Sequence, residues 1–290
     1  MDHPLKDLKQ RLPIACAIIV ILAILITFSF MQWVGWILAV LVSSLAGIGT
    51  WEYGKMVEKK GLTPSLRSMS VISSMQVLGF YLSLSSLNNS GFFLFFMFFA
   101  LLFIVIKHFK EQSNSLLHIA TELFGICYVA LPLILMLAVL YPSLSMDVVQ
   151  EVRYWLLYLI AVTKIADVGG YFIGKIWGKK PLAVHLSPNK TIEGAFGGFL
   201  FSVLLSICFA LCSKAGWFSY FTLTIPKAIF LGAIIGVLAQ IGDLVESLFK
   251  RDAGIKDSNK IPGIGGVLDM LDSFLFTAPI VYLFLRFYVK

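Results

Sequence analysis

From Leu12 to Trp51 the chain reads LPIACAIIVILAILITFSFMQWVGWILAVLVSSLAGIGTW, without one Asp, Glu, Lys or Arg. An α-helix rises about 1.5 Å per residue, so roughly 20 apolar residues cross a hydrocarbon core of roughly 30 Å. The stretch is long enough for two such helices back to back. The same density extends outward over the 290 residues, which are 59% hydrophobic and only 13% charged, with a mean hydropathy of +0.89. A soluble globular chain carries about 25% charged residues. That dilution of charge excludes a water-soluble enzyme, a nucleic-acid-binding module and a disordered chain. The expected fold class is all-α, a polytopic integral membrane protein.

Apolar runs predict about nine transmembrane helices, near 13–30, 33–51, 68–87, 91–107, 119–141, 152–173, 192–212, 226–249 and 267–289. The first follows Lys6, Lys9 and Arg11 as a signal peptide would, but it is long and lacks a small-x-small cleavage site, so it reads as a retained anchor. Cytoplasmic loops retain Lys and Arg. The tail, with the loops after the second, fourth, sixth and eighth runs, carries 17 of the 23 basic residues. This predicts a cytoplasmic N-terminus with the large loops on that side; an odd count of spans places Lys290 outside. Residues 1–150 read as a transmembrane scaffold of about five helices. Residues 151–290 read as a catalytic region with cytoplasmic loops 174–191 and 250–266. In the scaffold, the Phe92–Phe103 cluster reads as lipid-facing packing, and Glu52 as an interfacial residue or one that lines the site.

The acids of the last two spans break the apolar pattern. A carboxylate at the centre of a spanning helix costs about 2.5–3.5 kcal/mol on insertion scales. Asp243, Glu246, Asp269 and Asp272 together would cost on the order of 10 kcal/mol, comparable with a protein's whole net stability. Such groups persist where they face a polar cavity and are paired or bind a cation. Asp243 and Glu246 are three residues apart, as are Asp269 and Asp272, so each pair shares a helix face. Hard divalent cations take oxygen ligands from a few carboxylates and substrate phosphates. Two acid pairs fit a centre of one or two metals. The competing reading pairs these acids with Lys250, Arg251 or Lys256 at helix ends.

The loop between the pairs, Lys250 to Gly266, carries Arg251, Lys256 and Lys260 with Gly254, Gly263, Gly265 and Gly266. Glycines admit phosphate oxygens close to backbone N–H groups, and cations neutralise them. Positive-inside charge bias accounts for the cations equally well. A second polar cluster begins at Thr163-Lys164-Ile165-Ala166-Asp167, in which Lys164 and Asp167 can neutralise each other. It continues through Gly174-Lys175 and Gly178-Lys179 to Ser187-Pro188-Asn189-Lys190-Thr191, where Ser187 or Thr191 can cap the next helix. No Gly-x-x-x-x-Gly-Lys-Ser/Thr sequence supports a phosphate-loop nucleotide fold. The four histidines form no ligand set, and the four cysteines lie in apolar runs without metal-type spacing.

Ser247 with Lys250-Arg251, Lys256-Asp257-Ser258, Pro262-Gly263, Gly265-Gly266, Leu268-Asp269 and Leu271-Asp272-Ser273 resembles the C-terminal signature of the phosphatidate cytidylyltransferases (CDP-diglyceride synthases). Gly242-Asp243-Leu244, Asp167 with Gly170-Tyr171-Phe172, and Ser187-Pro188 with Lys190-Thr191 extend the resemblance over about residues 160–275. This chain has Ile264 and Met270 where the family usually shows His and Arg. The resemblance implies transfer of a cytidylyl group from CTP to phosphatidate, giving CDP-diacylglycerol and pyrophosphate for phospholipid biosynthesis at the inner face of the cell membrane. It implies catalytic work for Asp243, Asp269, Asp272, Lys250 and Asp257. Substrate contacts would come from Lys190, Ser187, Arg251, Lys256, Gly265, Gly266 and Ser247. Mg²⁺, with room for a second cation, would be held by Asp243, Glu246, Asp269, Asp272 and Asp167. The implied partners are CTP, phosphatidate and the lipid bilayer, with no nucleic acid; a homodimer is compatible with them. Two other readings stay open: another CTP-dependent membrane lipid enzyme, such as a polyprenol kinase-like protein, and a cation-coupled transporter, since buried carboxylates also mark ion pathways.

Overall fold

The computed structural model describes residues 20–84, 91–110, 114–141, 146–218, 221–259 and 265–288. Residues 20–27 are helical. They are followed by α1 (Gln32–Glu58), α2 (Leu66–Leu82), α3 (Gly91–Lys107), α4 (Ser115–Leu140), α5 (Met146–Trp177), α6 (Ile192–Lys214), α7 (Ile225–Asp252) and α8 (Val267–Tyr288). Every apolar run of the sequence is thus helical over most of its described residues. Six helices (α1 and α4 to α8) are long and apolar enough to cross a membrane. The count of nine is approximate because α3 is shorter, α2 has 17 residues, and the first run lies partly outside the described residues, as do the basic tail and Lys290. The division at residue 150 falls inside α5.

The polar residues of α2 explain its place. Ser70 Oγ donates to the Gly47 carbonyl at 2.8 Å, Ser74 Oγ to the Ser43 carbonyl at 3.0 Å, Ser43 Oγ to the Ser74 carbonyl at 2.9 Å, and Thr50 Oγ1 to Ser73 Oγ at 2.8 Å. Hydroxyls that would be unsatisfied in lipid instead tie α2 to α1. On α3, Phe95, Phe98, Phe99 and Phe103 are exposed, as apolar side chains facing lipid should be. Glu122 of α4 is fully buried. It accepts from Ser65 N at 2.7 Å and pairs with Lys107 at 3.0 Å, fastening the ends of α2 and α3 to α4.

Small residues set the packing of the second half. A Cβ at Gly198 of α6 would stand 2.6 Å from the Ala166 carbonyl of α5. Close backbone approach of this kind is what glycine permits between membrane helices.

The segment between α5 and α6, expected as a loop, contains an antiparallel hairpin: β1 (Pro181–Ala183) pairs with β2 (Ser187–Thr191), Pro181 opposite Thr191. Glu193 ties its base by accepting from Lys179 N at 3.0 Å and Lys180 N at 3.2 Å. Thr191 caps α6 by accepting from Gly194 N. Strands of three and five residues carrying Pro181, Pro188, Asn189 and Lys190 have no apolar alternation to announce them.

Loops that the charge pattern assigns to one side meet one another. Lys60 pairs with Asp252 at 2.9 Å, and Arg251 Nε donates to the Leu186 carbonyl at 3.2 Å. At the other end, Arg153 donates to the Thr27 carbonyl at 2.9 Å. The bundle therefore has two ends, populated as alternating loops require.

Candidate active site

Helix α7 carries Gly242 directly before Asp243. A Cβ at Gly242 would run into the Asp272 backbone carbonyl, so α7 and α8 touch there with nothing between them. One helical turn then brings Asp243 and Glu246 beside Asp272. Ligand oxygens of these three residues lie within 4.8 Å of one another. Glu246 and Asp272 are buried, 0% and 6% exposed.

The neighbouring charges form two wings. On one, Lys190 of β2 pairs with Asp243, Lys164 Nζ lies 3.2 Å from Asp167 Oδ2, and Ser273 Oγ bridges Asp272 Oδ1 (3.1 Å) and Asp167 Oδ1 (3.5 Å). On the other, Lys250 pairs with Glu246 and, at 2.7 Å, with Asp269. Asp269 also accepts from Gly266 N at 3.0 Å and Ser258 N at 3.2 Å, so it is a helix-end carboxylate as well as a member of the cluster.

The donor set fits a hard cation. Among the described residues, the five carboxylates Asp167, Asp243, Glu246, Asp269 and Asp272 face three ammonium groups, Lys164, Lys190 and Lys250. Carboxylates thus outnumber ammonium groups by two. Glu246 Oε1 is buried with no hydrogen-bond partner among the described residues. Buried polar atoms are nearly always satisfied, and an orphan calls for an ion or water. All-oxygen carboxylate donors are those that Mg²⁺ prefers.

Beside the cluster opens a cavity of about 640 Å³ between α5, the hairpin, α6 and α7. Ser187, Asn189, Lys190 and Thr191 form its hairpin wall, Asp167, Gly170, Tyr171 and Lys175 its α5 wall, and Gln240 and Asp243 its α7 wall. Of the residues expected from sequence to touch substrate, Ser187 and Lys190 line this cavity. Ser247 is buried on α7 and is not part of its lining. Arg251 is exposed in the last turn of α7, and Lys256 and Asp257 are exposed on the connection between α7 and α8. Gly265, at a φ of +83°, and Gly266 immediately precede α8 and lie against Asp269. Gln240 and Tyr171 were not among the expected site residues. Gln240 had a legible signal, an amide in an apolar run one turn before Asp243; it donates to the Ala195 carbonyl at 3.0 Å.

Met270 and Ile264 are the chain's two departures from the resembled signature. Ile264 lies outside the described residues. At Met270, a cation is supplied from another helix: Lys164 Nζ of α5 donates to the Met270 carbonyl at 3.3 Å.

An all-helical membrane bundle whose carboxylates converge beside a lysine-bearing cavity defines a polytopic membrane protein with a centre suited to a hard cation and a phosphorylated ligand. Comparison narrows this class. The chain belongs to the cytidylyltransferase family, whose profile matches residues 9–288. It is 35% identical over 286 residues to the phosphatidate cytidylyltransferase of Chlamydia pneumoniae, covering 96% of this chain and 92% of that one. It is 31% identical over 285 residues to that of a Synechocystis strain, covering 91% and 93%. The Staphylococcus haemolyticus enzyme of the same name is 41% identical over 133 residues, 46% and 49% of the two chains.

Proposed function

We propose that this chain is a CTP:phosphatidate cytidylyltransferase, forming CDP-diacylglycerol and pyrophosphate for phospholipid biosynthesis. The observation that carries the reading is the convergence of Asp243, Glu246 and Asp272 at the rim of a cavity walled by Lys190, in a chain whose relatives over nearly its full length are named for this reaction. An oxygen of the phosphatidate phosphate attacks the α-phosphorus of CTP. A new P–O bond forms there as the bond to the β-phosphate oxygen breaks, and pyrophosphate leaves with the electron pair. The nucleophile is already an anion, so alignment and charge neutralisation carry the acceleration.

Asp243, Glu246 and Asp272 would hold Mg²⁺, with Asp269 and Asp167 beside them; when bound, the ion neutralises phosphate oxygens and the leaving group. Lys190 exchanges its partner Asp243 for a phosphate oxygen of the nucleotide. Lys250 fixes Glu246 and Asp269 relative to each other, while Arg251 and Lys256 meet phosphates arriving from the aqueous side. We place this end of the bundle at the cytoplasmic face of the cell membrane, where the basic loops belong.

The test is purified protein in detergent with labelled CTP, phosphatidate and Mg²⁺. CDP-diacylglycerol and pyrophosphate are expected in equal amounts, and none after chelation by EDTA. CDP with a lipid phosphate would mean a kinase; no product, where a related enzyme works, would overturn the assignment.

A further inference from the structure

Glu52 lies on α1, in the half of the chain that carries none of the clustered acids, and is fully buried. Its carboxylate gathers four donors. Oε1 accepts from Asn259 Nδ2 at 3.0 Å and Val267 N at 3.1 Å, and Oε2 from Ser258 Oγ at 3.0 Å and Leu268 N at 2.8 Å. Val267 and Leu268 are the first two residues of α8. The first amides of a helix have no partner inside it and carry the positive end of its dipole. Glu52 therefore caps α8 from another helix, more than 200 residues away in sequence.

A cap alone needs one short polar side chain. This one is a buried carboxylate, costly to desolvate, and none of its four donors is charged. What the carboxylate adds is a hold on both limbs of one connection, Ser258 and Asn259 on the first and the start of α8 on the second. Ser258 and Gly266 are the residues whose amides Asp269 accepts. The two are packed so tightly that a Cβ on Gly266 would run into Ser258 Oγ. Asp269 in turn faces Lys250, and Lys250 pairs with Glu246. An unbroken series of contacts thus runs from Glu52 through Ser258 and Asp269 to Lys250 and Glu246, while Asp272 lies one turn along the helix that Glu52 caps.

We propose that Glu52 is a positioning residue for nucleotidyl transfer: by pinning both limbs of the α7–α8 connection it sets the register of Asp269 and Asp272 against Asp243 and Glu246. The inference rests on the cytidylyltransferase reading, and its test separates the two. Purified full-length native, Glu52→Gln, Glu52→Asp and Ser258→Ala chains are compared in detergent for kcat, KM for CTP, the Mg²⁺ concentration giving half-maximal rate, and the rise in melting temperature that Mg²⁺ produces. Glu52→Gln turns an amide N–H₂ toward groups that are themselves donors. It should lower kcat by about 10–100-fold, the range for residues that orient metal ligands, raise the Mg²⁺ requirement several-fold, and shrink the Mg²⁺-dependent rise in melting temperature. Glu52→Asp keeps the acceptors and should recover part of each. If Glu52→Gln does not fold, Ser258→Ala, which leaves the α8 amides capped, should shift the same quantities by a smaller factor. Native kcat and Mg²⁺ response in the folded variants, or a lower melting temperature with unchanged activity per folded molecule, would reduce Glu52 to a structural cap and overturn the proposal. A native chain that makes no product overturns the functional reading instead, and the Mg²⁺-dependent melting shift still decides the role of Glu52.

Discussion

Asp243, Glu246 and Asp272 were legible in the sequence because a carboxylate in an apolar helix is expensive enough to need a reason. Packing five carboxylates against only three ammonium groups argues that the site stores instability. Asp243→Asn removes one charge from the cluster, so we expect kcat to fall by at least about 100-fold while the melting temperature in EDTA stays level or rises, the trade expected where function and stability compete. Activity and melting measured on the same preparation check both halves. The cation beside Met270 was not legible, because Lys164 and Met270 are 106 residues apart and only packing brings them together. Lys164 also holds Asp167 and lies 4.8 Å from the centroid of the Phe274 ring. Lys164→Met should therefore lower kcat by about 10-fold, and adding Met270→Arg should restore a factor of about 3 or more. Groups in contact couple in this non-additive way, whereas additive losses in the double variant would show that the two positions act separately.

At the level of elements, the long apolar helices were readable from hydropathy, since lipid leaves a spanning backbone few alternatives to the helix. The hairpin was not, although it carries Lys190 and much of the cavity wall. Its order comes from Glu193 at the base and from α6, neither of which leaves a periodic mark in residues 181–191. The polar face of α2 was equally silent, because its hydroxyls find partners only once α1 is beside them. Gly242 is where element geometry and chemistry meet. Adding one methyl there forces α7 from the Asp272 carbonyl. Gly242→Ala should cost about 1–3 kcal/mol of stability, as overpacking does. It should depress kcat far more than that loss explains, since the acids separate. An equally tight glycine away from the acids, Gly232 against Ser206 and the Ser202 carbonyl, supplies the control. Gly232→Ala should destabilise similarly and spare most of the activity per folded molecule.

The whole molecule joins two halves that the sequence presents as scaffold and machine. Glu52 crosses that division, and its role could not be read from an isolated acid at the end of an apolar run. What the sequence does expose at this scale is sidedness, because Lys and Arg accumulate on one set of loops. The contacts between those loops, Lys60 with Asp252 and Arg251 with Leu186, place them at one end of the bundle. The connection after α6, with Trp217 75% exposed, belongs to the opposite set. Take a chain whose four cysteines are replaced by alanine, in right-side-out membrane vesicles treated with an impermeant maleimide. Lys60→Cys and Lys256→Cys should label only after the membrane is permeabilised, and Trp217→Cys should label at once. The reverse pattern would invert the protein and put the lysine-walled cavity away from cytosolic nucleotide. Unequal behaviour of Lys60→Cys and Lys256→Cys would break the shared end itself, and with it the route by which α1 reaches the start of α8.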